Sequence, residues 1–389
     1  MSMILDEHRQ YLSDETRLGL FRKAINKVVR PGDVVIDLGC GTGILGMLAC
    51  QAGAKRVYAI EGGGIIDLAR EIAEANGFAD RIVHVHGAST RVSLPERADV
   101  LLADQIGHFG FEAGVLEFFR DGGARMLKPG GRSIPRRIDQ WLAPVMYPEA
   151  HRNVEFWDTR RAGFDFSPAA IVARNTGYPL DFERVRFLGR PARFASIDPL
   201  DPPRTNKGEV VLKISTPGVL HGIGGFFSSE LAPGVVMTNS PIAKNGISRR
   251  RVFFPIKAAV RVAKGDQVTV TMSITYDQIM VAWRVEVADS KGVVRARSNH
   301  STLQGMLVPL EDLRKTRPDF VPSLTPWGAA RRTVIDLFDG VRTVADIERE
   351  LLGRHPKLFA NAAAASQFVA EVVIPYGGAG RLSGALDDK

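Results

Sequence analysis

Cysteine is scarce in this sequence of 389 residues, which contains only Cys40 and Cys50. Two cysteines cannot form a disulfide framework, and they are not spaced as a C-x-x-C zinc-ligand pair. Long apolar runs are missing as well, because short ones such as residues 34–36 fall far below the ~18 residues that a membrane helix needs. Residues 1–30 combine acids with an amphipathic pattern and lack the apolar core of a signal peptide. We therefore expect a cytoplasmic protein with no membrane segment.

Neither end of the chain has an excess of one charge. Residues 1–140 contain 18 Lys/Arg and 18 Asp/Glu, and residues 323–389 contain 8 of each. The formal net charge of +8 therefore arises in residues 141–322, which hold 25 basic and 17 acidic residues. Such a surplus aids solubility, and it also suits an acidic partner such as a peptide or a nucleic acid. The composition leaves both interpretations open, while 45% hydrophobic residues exclude a disordered chain.

Strand and helix patterns alternate along residues 1–140. Short apolar runs typical of buried parallel strands lie at residues 34–38, 56–60, 81–85 and 99–103. Helical patterns lie between or after them, at residues 44–52, 65–76 and 112–126. Strand–helix repeats of this kind predict a doubly wound α/β sheet.

The pattern changes after Lys128-Pro129-Gly130-Gly131. Alternating residues predict strands at 209–215, 252–256, 267–276 and 280–288, which indicates a mostly antiparallel β domain. A helical pattern follows the proline-containing stretch 317–326, with segments at 330–338, 344–352 and 362–373. We predict three domains, at residues 1–140, 141–316 and 327–389.

The most specific motif is Asp37-Leu38-Gly39-Cys40-Gly41-Thr42-Gly43, here called the glycine loop, which follows the first strand and precedes a helix. Glycines at such a turn let the backbone bend sharply and approach a ligand. A second acid, Glu61, ends the next strand, where a carboxylate can accept both hydroxyls of a ribose. The sixth position, Ile44, is not glycine, so the loop does not match the dinucleotide pattern G-x-G-x-x-G.

With its flanks at residues 34–47 and 52–61, the glycine loop resembles that of class I S-adenosylmethionine-dependent methyltransferases, and protein arginine methyltransferases in particular. The resemblance implies a Rossmann-like core, a β-barrel on the substrate side and a dimerisation arm within residues 166–195. It also implies that S-adenosylmethionine is the cofactor. The residues implied to bind it are Arg17, Asp37, Gly39, Gly41, Gly43, Glu61, Ala88 and Ser89.

Two of these implied roles are specific. Residues 8–17 resemble the family's first cofactor-covering helix, so Arg17 is expected to pair with the cofactor carboxylate through its guanidinium fork. Ala88 and Ser89 lie where the family offers backbone groups to the adenine.

Two acids follow the fourth predicted strand, in the segment from Asp104 to Glu112, here called the acid loop. It corresponds to the family's double-glutamate loop, in which two carboxylates orient a guanidinium, so Asp104 and Glu112 are implied to be catalytic. Asp104 is one methylene shorter than the family's glutamate, and the loop is one residue shorter. From the residues alone, Asp104 is also compatible with a strand-end surface acid, and Glu112 with an acid in the first turn of a helix.

Other polar residues are open to two interpretations. His108 and His300 are candidate bases or ordinary packed histidines. The family's Thr-His-Trp loop is absent near Gly246-Ile247-Ser248. The next residues, Arg249-Arg250-Arg251, are compatible with a solvated strand edge or with an anion-binding patch that faces the substrate.

The C-terminal segment contains Asp339-Gly340-Val341-Arg342-Thr343-Val344, in which a turn precedes a helix capped by Thr343. It resembles the PqqD-like winged-helix domain that recognises precursor peptides, which implies a small α/β module that binds a peptide by strand addition. A DNA reader would carry a basic footprint, and the charge of this segment is balanced, so we do not expect DNA binding. A purely structural cap is the other interpretation.

Together these features predict an S-adenosylmethionine-dependent methyltransferase that acts on a protein or peptide side chain. An arginine-like nitrogen is one acceptor, and a precursor peptide held by residues 327–389 is one partner. The resemblance also implies a homodimer, and no metal ligand set is expected. The alternatives are a small-molecule or nucleic-acid methyltransferase, or a non-catalytic scaffold that keeps the cofactor pocket.

Overall fold

Five apolar strands pair in parallel to form the first sheet. The structure is a computed structural model that describes residues 4–378, and the chain divides into two compact units after Leu307. The strands of the first sheet are β1 (Val34–Leu38), β2 (Arg56–Glu61), β3 (Ile82–His86), β4 (Ala98–Leu102) and β5 (Leu127–Ile134). The accompanying helices are α1 (Ile4–Ser13), α2 (Glu15–Val28), α3 (Ile44–Gln51), α4 (Ile65–Ala75) and α5 (Val115–Arg125). The predicted parallel α/β core is confirmed.

The order of these strands is β3-β2-β1-β4-β5, so the direction of winding reverses between β1 and β4. Ligands of open parallel sheets bind outside the carboxyl ends of the strands at such a reversal. The glycine loop follows β1 and the acid loop follows β4, so the topology brings both to this edge.

The start of α5 differs from the prediction. The helix begins at Val115, after Gly114 in a left-handed conformation with a φ of 91°, and not at Glu112. The prediction that Glu112 lies in the first turn of a helix is therefore wrong, and the acid belongs to the loop.

Antiparallel strands fill most of residues 137–301. They are β6 (Arg137–Met146), β7 (Arg160–Arg161), β8 (Phe164–Asp165), β9 (Tyr178–Leu180), β10 (Arg186–Phe187), β11 (Ala192–Ile197), β12 (Thr205–Lys213), β13 (Gly218–Ala232), β14 (Val235–Thr238), β15 (Arg251–Val262), β16 (Gln267–Thr275), β17 (Met280–Ala288) and β18 (Val294–Ser301). Two short helices, α6 (Pro148–Glu155) and α7 (Pro168–Arg174), flank a 3₁₀ turn at Phe156–Asp158.

The expected barrel is not closed. One sheet has the order β10-β6-β13-β15-β9, with β11 added on β6 and β14 on β13, and the other has the order β12-β16-β17-β18. Outside these sheets, an isolated bridge joins Gly189 to Ile214. The domain thus has two large antiparallel sheets, which share a core with the parallel sheet, and a separate short pair, β7–β8.

The longest strand, β13, escaped the sequence analysis because it is rich in glycine, which is normally depleted in strands. Close packing explains these glycines. A Cβ at Gly222 would lie 2.4 Å from the carbonyl oxygen of Phe254, and one at Gly224 would lie 2.8 Å from the ring of Phe182. The glycines therefore make room for aromatic neighbours at the centre of the sheet.

The implied dimerisation arm is largely paired into the main sheet. Residues 166–195 include α7, β9, β10 and part of β11, of which β9 pairs with β15 and β10 and β11 pair with β6. Four exposed aromatic side chains lie at the start of this segment or just before it. They are Phe156, Trp157, Phe164 and Phe166.

The second unit contains α8 (Leu310–Lys315), α9 (Pro326–Asp336), α10 (Val344–Arg354) and α11 (Ala362–Tyr376). Val334, Leu351 and Val369 are fully buried in its own apolar core. The predicted cap is confirmed, since Thr343 and Asp346 form a reciprocal capping box at the start of α10. Residues 308–378 contain no strand, so the wing and the edge strand of the predicted α/β module are not found there; residues 379–389 lie outside the described part of the chain.

None of the described helices is long and apolar enough to cross a membrane.

Candidate active site at the carboxyl edge of the parallel sheet

A cavity of about 580 Å³ lies where the glycine loop and the acid loop meet. Helices α1 and α2 contribute Tyr11 and Arg17 to its wall, and the segment before β15 contributes Arg249. Six of the residues predicted to form the site line it: Arg17, Gly39, Gly41, Glu61, Asp104 and Glu112. The topology thus gathers residues that span more than 200 positions of the sequence.

The backbone of the glycine loop lines the cavity at two glycines, where a side chain would not fit. Gly39 and Gly41 have φ values of 64° and 54°. A Cβ at Gly39 would lie 1.9 Å from Nε2 of Gln105, and one at Gly41 would lie 2.5 Å from Cε1 of His8. Both positions therefore require glycine for conformation and for space.

Glu61 is fixed at the end of β2 by backbone donors. Its Oε2 accepts the N–H of Gly41 at 3.1 Å, and its Oε1 accepts the N–H of Gly63 at 2.9 Å. Each carboxylate oxygen can accept a further hydrogen bond, and the side chain lines the cavity. The residue is therefore held ready to accept two hydroxyl donors.

Asp37 lies beneath the loop rather than in the cavity wall. The side chain is buried, its Oδ2 accepts the N–H of Gly46 at 2.8 Å, and its Oδ1 has no hydrogen-bond partner among the described residues. Burial raises the pKa of Asp37 to about 7, because removal from water disfavours the charged form. Its role here is to bind the start of α3 against β1.

Asp104 and two arginines form a buried ionic cluster. Asp104 accepts from Nε of Arg17, and its Oδ2 lies 3.1 Å from Nη2 of Arg249. All three side chains are at most 8% exposed. Although burial acts against the charge of Arg249, the carboxylate of Asp104 raises the pKa of Arg249 above its ordinary value. In this structure Arg17 thus pairs with the acid loop, a contact that the sequence analysis did not anticipate.

Glu112 folds back on its own loop. Its Oε1 accepts the N–H groups of His108 and Phe109, both at 2.7 Å, and its Oε2 accepts that of Phe111 at 3.1 Å. Three hydrogen bonds to one carboxylate give the acid loop a fixed shape. Glu112 therefore lines the cavity and also stabilises the conformation of the acid loop.

Further buried side chains hold the acid loop from outside the cavity. Asn239 donates through Nδ2 to the carbonyls of His108 and Arg250, both at 2.7 Å. Gln140 donates to the carbonyl of Phe109 at 3.0 Å. Asn239 thus links the acid loop to the segment that carries Arg249.

Besides Asp37, three predicted cofactor residues are not among the described residues that line the cavity: Gly43, Ala88 and Ser89. Gly43 precedes α3 in a left-handed conformation, and the carbonyl of Ser89 accepts from Arg125 at 2.8 Å.

The two candidate bases occupy different environments. His108 lines the cavity, and burial lowers the pKa of His108, so its ring is uncharged near neutral pH. His300 stacks on Trp283 with ring centroids 5.2 Å apart, and burial lowers the pKa of His300 to about 4. His300 is therefore a packed core residue.

Several lining residues were missed by sequence reasoning. His8 and Tyr11 lie on α1, and Gln105 follows Asp104 directly. Position after a strand end could have suggested Gln105. Arg249 had two open interpretations, and the structure places it in the cavity. The next residue, Arg250, lies outside the cavity lining and pairs at the surface with Asp181, at 3.7 Å.

Known proteins resemble the part of the chain that carries this site. Residues 14–135 match the family model described as ribosomal protein L11 methyltransferase (PrmA). At the level of fold, the chain is similar to the Trypanosoma brucei PRMT1 enzyme–prozyme heterotetrameric complex with AdoHcy. The TM-score is 0.68 and the identity 20%, over 76% of this chain and 97% of the other. It is also similar to Arabidopsis thaliana protein arginine methyltransferase 10, with a TM-score of 0.67 and 22% identity over 77% and 98% of the two chains.

Protein arginine N-methyltransferases also occur among the sequence relatives. The probable protein arginine N-methyltransferase 6 of Arabidopsis thaliana is 33% identical over 174 residues, which are 44% of this chain and 40% of the relative. Protein arginine N-methyltransferase 6 of Danio rerio is 32% identical over 205 residues, which are 49% and 57% of the two chains. The chain spans about half the length of these curated relatives.

Proposed function

We propose that this chain is an S-adenosylmethionine-dependent methyltransferase that modifies a side chain of a protein or peptide. The observation that carries the proposal is the single cavity that joins the glycine loop and Glu61 to the acid loop. The family model that matches residues 14–135 and the names of the relatives support the same activity.

The residues at one end of the cavity suit the cofactor. Glu61 presents two fixed carboxylate oxygens for the ribose hydroxyls, and the bare backbone at Gly39 and Gly41 leaves room for the amino-acid part. Arg17 lines the cavity and would pair with the carboxylate of the cofactor.

The residues at the other end suit an acceptor. When bound, S-adenosylmethionine supplies an activated methyl group, which an acceptor takes in an in-line displacement that depends mainly on positioning. Asp104 and Glu112 define the acceptor end, and the hydrogen bonds that Glu112 accepts fix the loop that carries them. The proposed roles are therefore positioning roles.

We further propose that residues 327–389 hold a peptide partner and thereby raise its effective concentration at the acceptor end. The second unit has its own apolar core, and it exposes Trp327, Val341 and Val344. Strand addition has no edge strand to use within residues 308–378, so the described part of the module would bind through its helix surfaces. The resemblance to a PqqD-like module supports this role, and a structural cap is the competing one.

Two smaller proposals concern assembly and location. The exposed aromatic group at residues 156–166 supports a homodimer, because contiguous exposed apolar surface marks interfaces. Cys40 and Cys50 are both free and buried, which supports a reducing compartment such as the cytoplasm.

Labelled cofactor, incubated with the full chain and candidate proteins or peptides, tests the activity. Transfer of label that is mapped by mass spectrometry to one side chain would support the proposal. Binding of S-adenosylhomocysteine without any transfer would favour the scaffold alternative. Removing residues 327–389 should raise the KM for a long peptide and leave that for a short core fragment unchanged. Equal loss on both, with the first unit folded, would make the module a structural cap.

A further inference from the structure

Arg249 occupies the carboxylate at which a cationic acceptor would dock. Its guanidinium lies 3.1 Å and 3.4 Å from the two oxygens of Asp104. Its side chain is 8% exposed, so the pair is shielded from water and is screened little by salt. The ring of Tyr11, 5.7 Å away, covers the same guanidinium. The position is therefore built for a cation, and the chain itself supplies that cation.

The second acid of the loop is committed as well. Glu112 accepts three backbone hydrogen bonds, two on Oε1 and one on Oε2, which use most of its acceptor capacity. Arg17 also contacts Asp104. If Arg17 turned toward a cofactor carboxylate, the separate ion pair between Arg249 and Asp104 would remain. An incoming guanidinium that displaced Arg249 from Asp104 would therefore leave the charge of Arg249 buried beside its own.

We infer that Arg249 determines acceptor specificity: it holds Asp104 against cationic side chains, and the side chain that is methylated enters without a positive charge. This inference rests on the proposed function and names its substrate class. Like charges placed together in a desolvated site repel strongly enough to exclude a partner. His108, uncharged in the same cavity, is compatible with an acceptor that loses a proton on methylation.

Two probes of equal shape separate charge from fit. N-ethylguanidinium and N-ethylurea differ in charge and hardly in size, and NMR titration of each into the full chain, with and without S-adenosylhomocysteine, gives a ratio of affinities. We expect wild type to bind the urea at least as tightly as the guanidinium. Arg249→Met, which keeps volume without charge, should shift the ratio toward the guanidinium by at least about tenfold. Arg249→Lys keeps a cation and should retain the wild-type ratio.

Controls keep the test independent of stability and of the proposed function. Arg250→Ala removes the neighbouring arginine, which pairs with Asp181 at the surface, and should leave the ratio unchanged. Arg249→Gln replaces Arg249→Met if the latter melts early. The inference is overturned if wild type binds the guanidinium more tightly than the urea. It is also overturned if the ratio of the two affinities is the same in wild type and in Arg249→Met, or if neither probe binds to either protein. Failure to bind S-adenosylhomocysteine would count against the proposed function alone, because the ratio is also measured without it.

Discussion

The two ends of the cavity are built in different ways. The cofactor end consists of the glycine loop, which follows β1, and Glu61, which ends the adjacent β2, and the N–H of Gly41 donates to the Glu61 carboxylate. The acceptor end joins Asp104 to Arg249, which is 145 residues away in the sequence, through buried charges. One end is thus a local backbone structure, and the other is a long-range electrostatic one.

This difference has consequences for stability and specificity. At the cofactor end, hydrogen bonds from the backbone N–H groups of Gly41 and Gly63 to Glu61 depend on a fixed loop conformation. A buried ionic cluster stabilises little overall, yet the removal of one member leaves the others uncompensated. We therefore expect substitutions at the acceptor end to affect folding most, and substitutions at the cofactor end to affect ligand affinity.

The largest effect is expected for Asp104→Ala. The change leaves Arg17 and Arg249 buried together without their common carboxylate. Loss of one partner of a buried pair destabilises by about 3–5 kcal/mol. Urea unfolding of the full chain would measure this loss. The control is Asp67→Ala, which removes an exposed ion pair with Arg70 and should change the free energy of unfolding little. Equal stability of both variants would mean that the cluster is not held together by charge.

Asp37 should make the cofactor end sensitive to pH. Burial raises the pKa of Asp37 from 3.8 to about 7, so between these values the folded protein keeps a proton that the unfolded chain has released. The free energy of unfolding therefore falls as the pH rises from about 4 to 7, by up to about 4 kcal/mol, since one pKa unit corresponds to ~1.4 kcal/mol. The contribution is fully present below this window and lost above it.

Asp37→Asn should remove this dependence, because the amide cannot ionise and can still accept the N–H of Gly46. Unfolding curves of both proteins at several values between pH 4 and 8 would test it. Parallel curves would show that Asp37 does not titrate in this range.

Glu61→Ala should weaken binding of S-adenosylmethionine and leave the fold intact. The variant removes the carboxylate proposed to accept the ribose hydroxyls, and a hydrogen bond to a charged group contributes roughly 1.5–3 kcal/mol. Calorimetry of cofactor binding is the measurement, and Glu71→Ala, on α4 outside the cavity lining, is the matched control. Unchanged affinity in a folded variant would show that the cofactor does not bind at this end of the cavity.

The smallest effect is expected for Glu112→Gln. The amide oxygen can keep the hydrogen bonds from His108 and Phe109, while the contact with the N–H of Phe111 is lost. One buried hydrogen bond to a charged group corresponds to about 1.5–3 kcal/mol, and a retained neutral acceptor reduces this to ~1–2 kcal/mol. Thermal melting would report the loss. If the stability loss is no larger than expected and methyl transfer at full cofactor saturation is slower, Glu112 has a further role at the acceptor.

The parallel core was accessible to sequence reasoning because its signals are local. The strand at Val34–Leu38 was predicted with its observed bounds, and α3 and α4 each differ from prediction by one residue at the end. An apolar run followed by glycines can hardly adopt another structure. By contrast, β13 was missed because its glycines oppose strand propensity, and only its neighbours Phe254 and Phe182 explain them.

The sequence by itself determined the glycine loop, the position of Glu61 one strand away and the acid pair after β4, because each depends on a few adjacent residues. Tertiary structure decided what those groups contact. It placed Arg249 on Asp104, turned Glu112 onto its own loop and buried Asp37 until its pKa rose to about 7. The physical reason is that charge pairing and desolvation depend on distance through space, and distance along the chain carries little information about it.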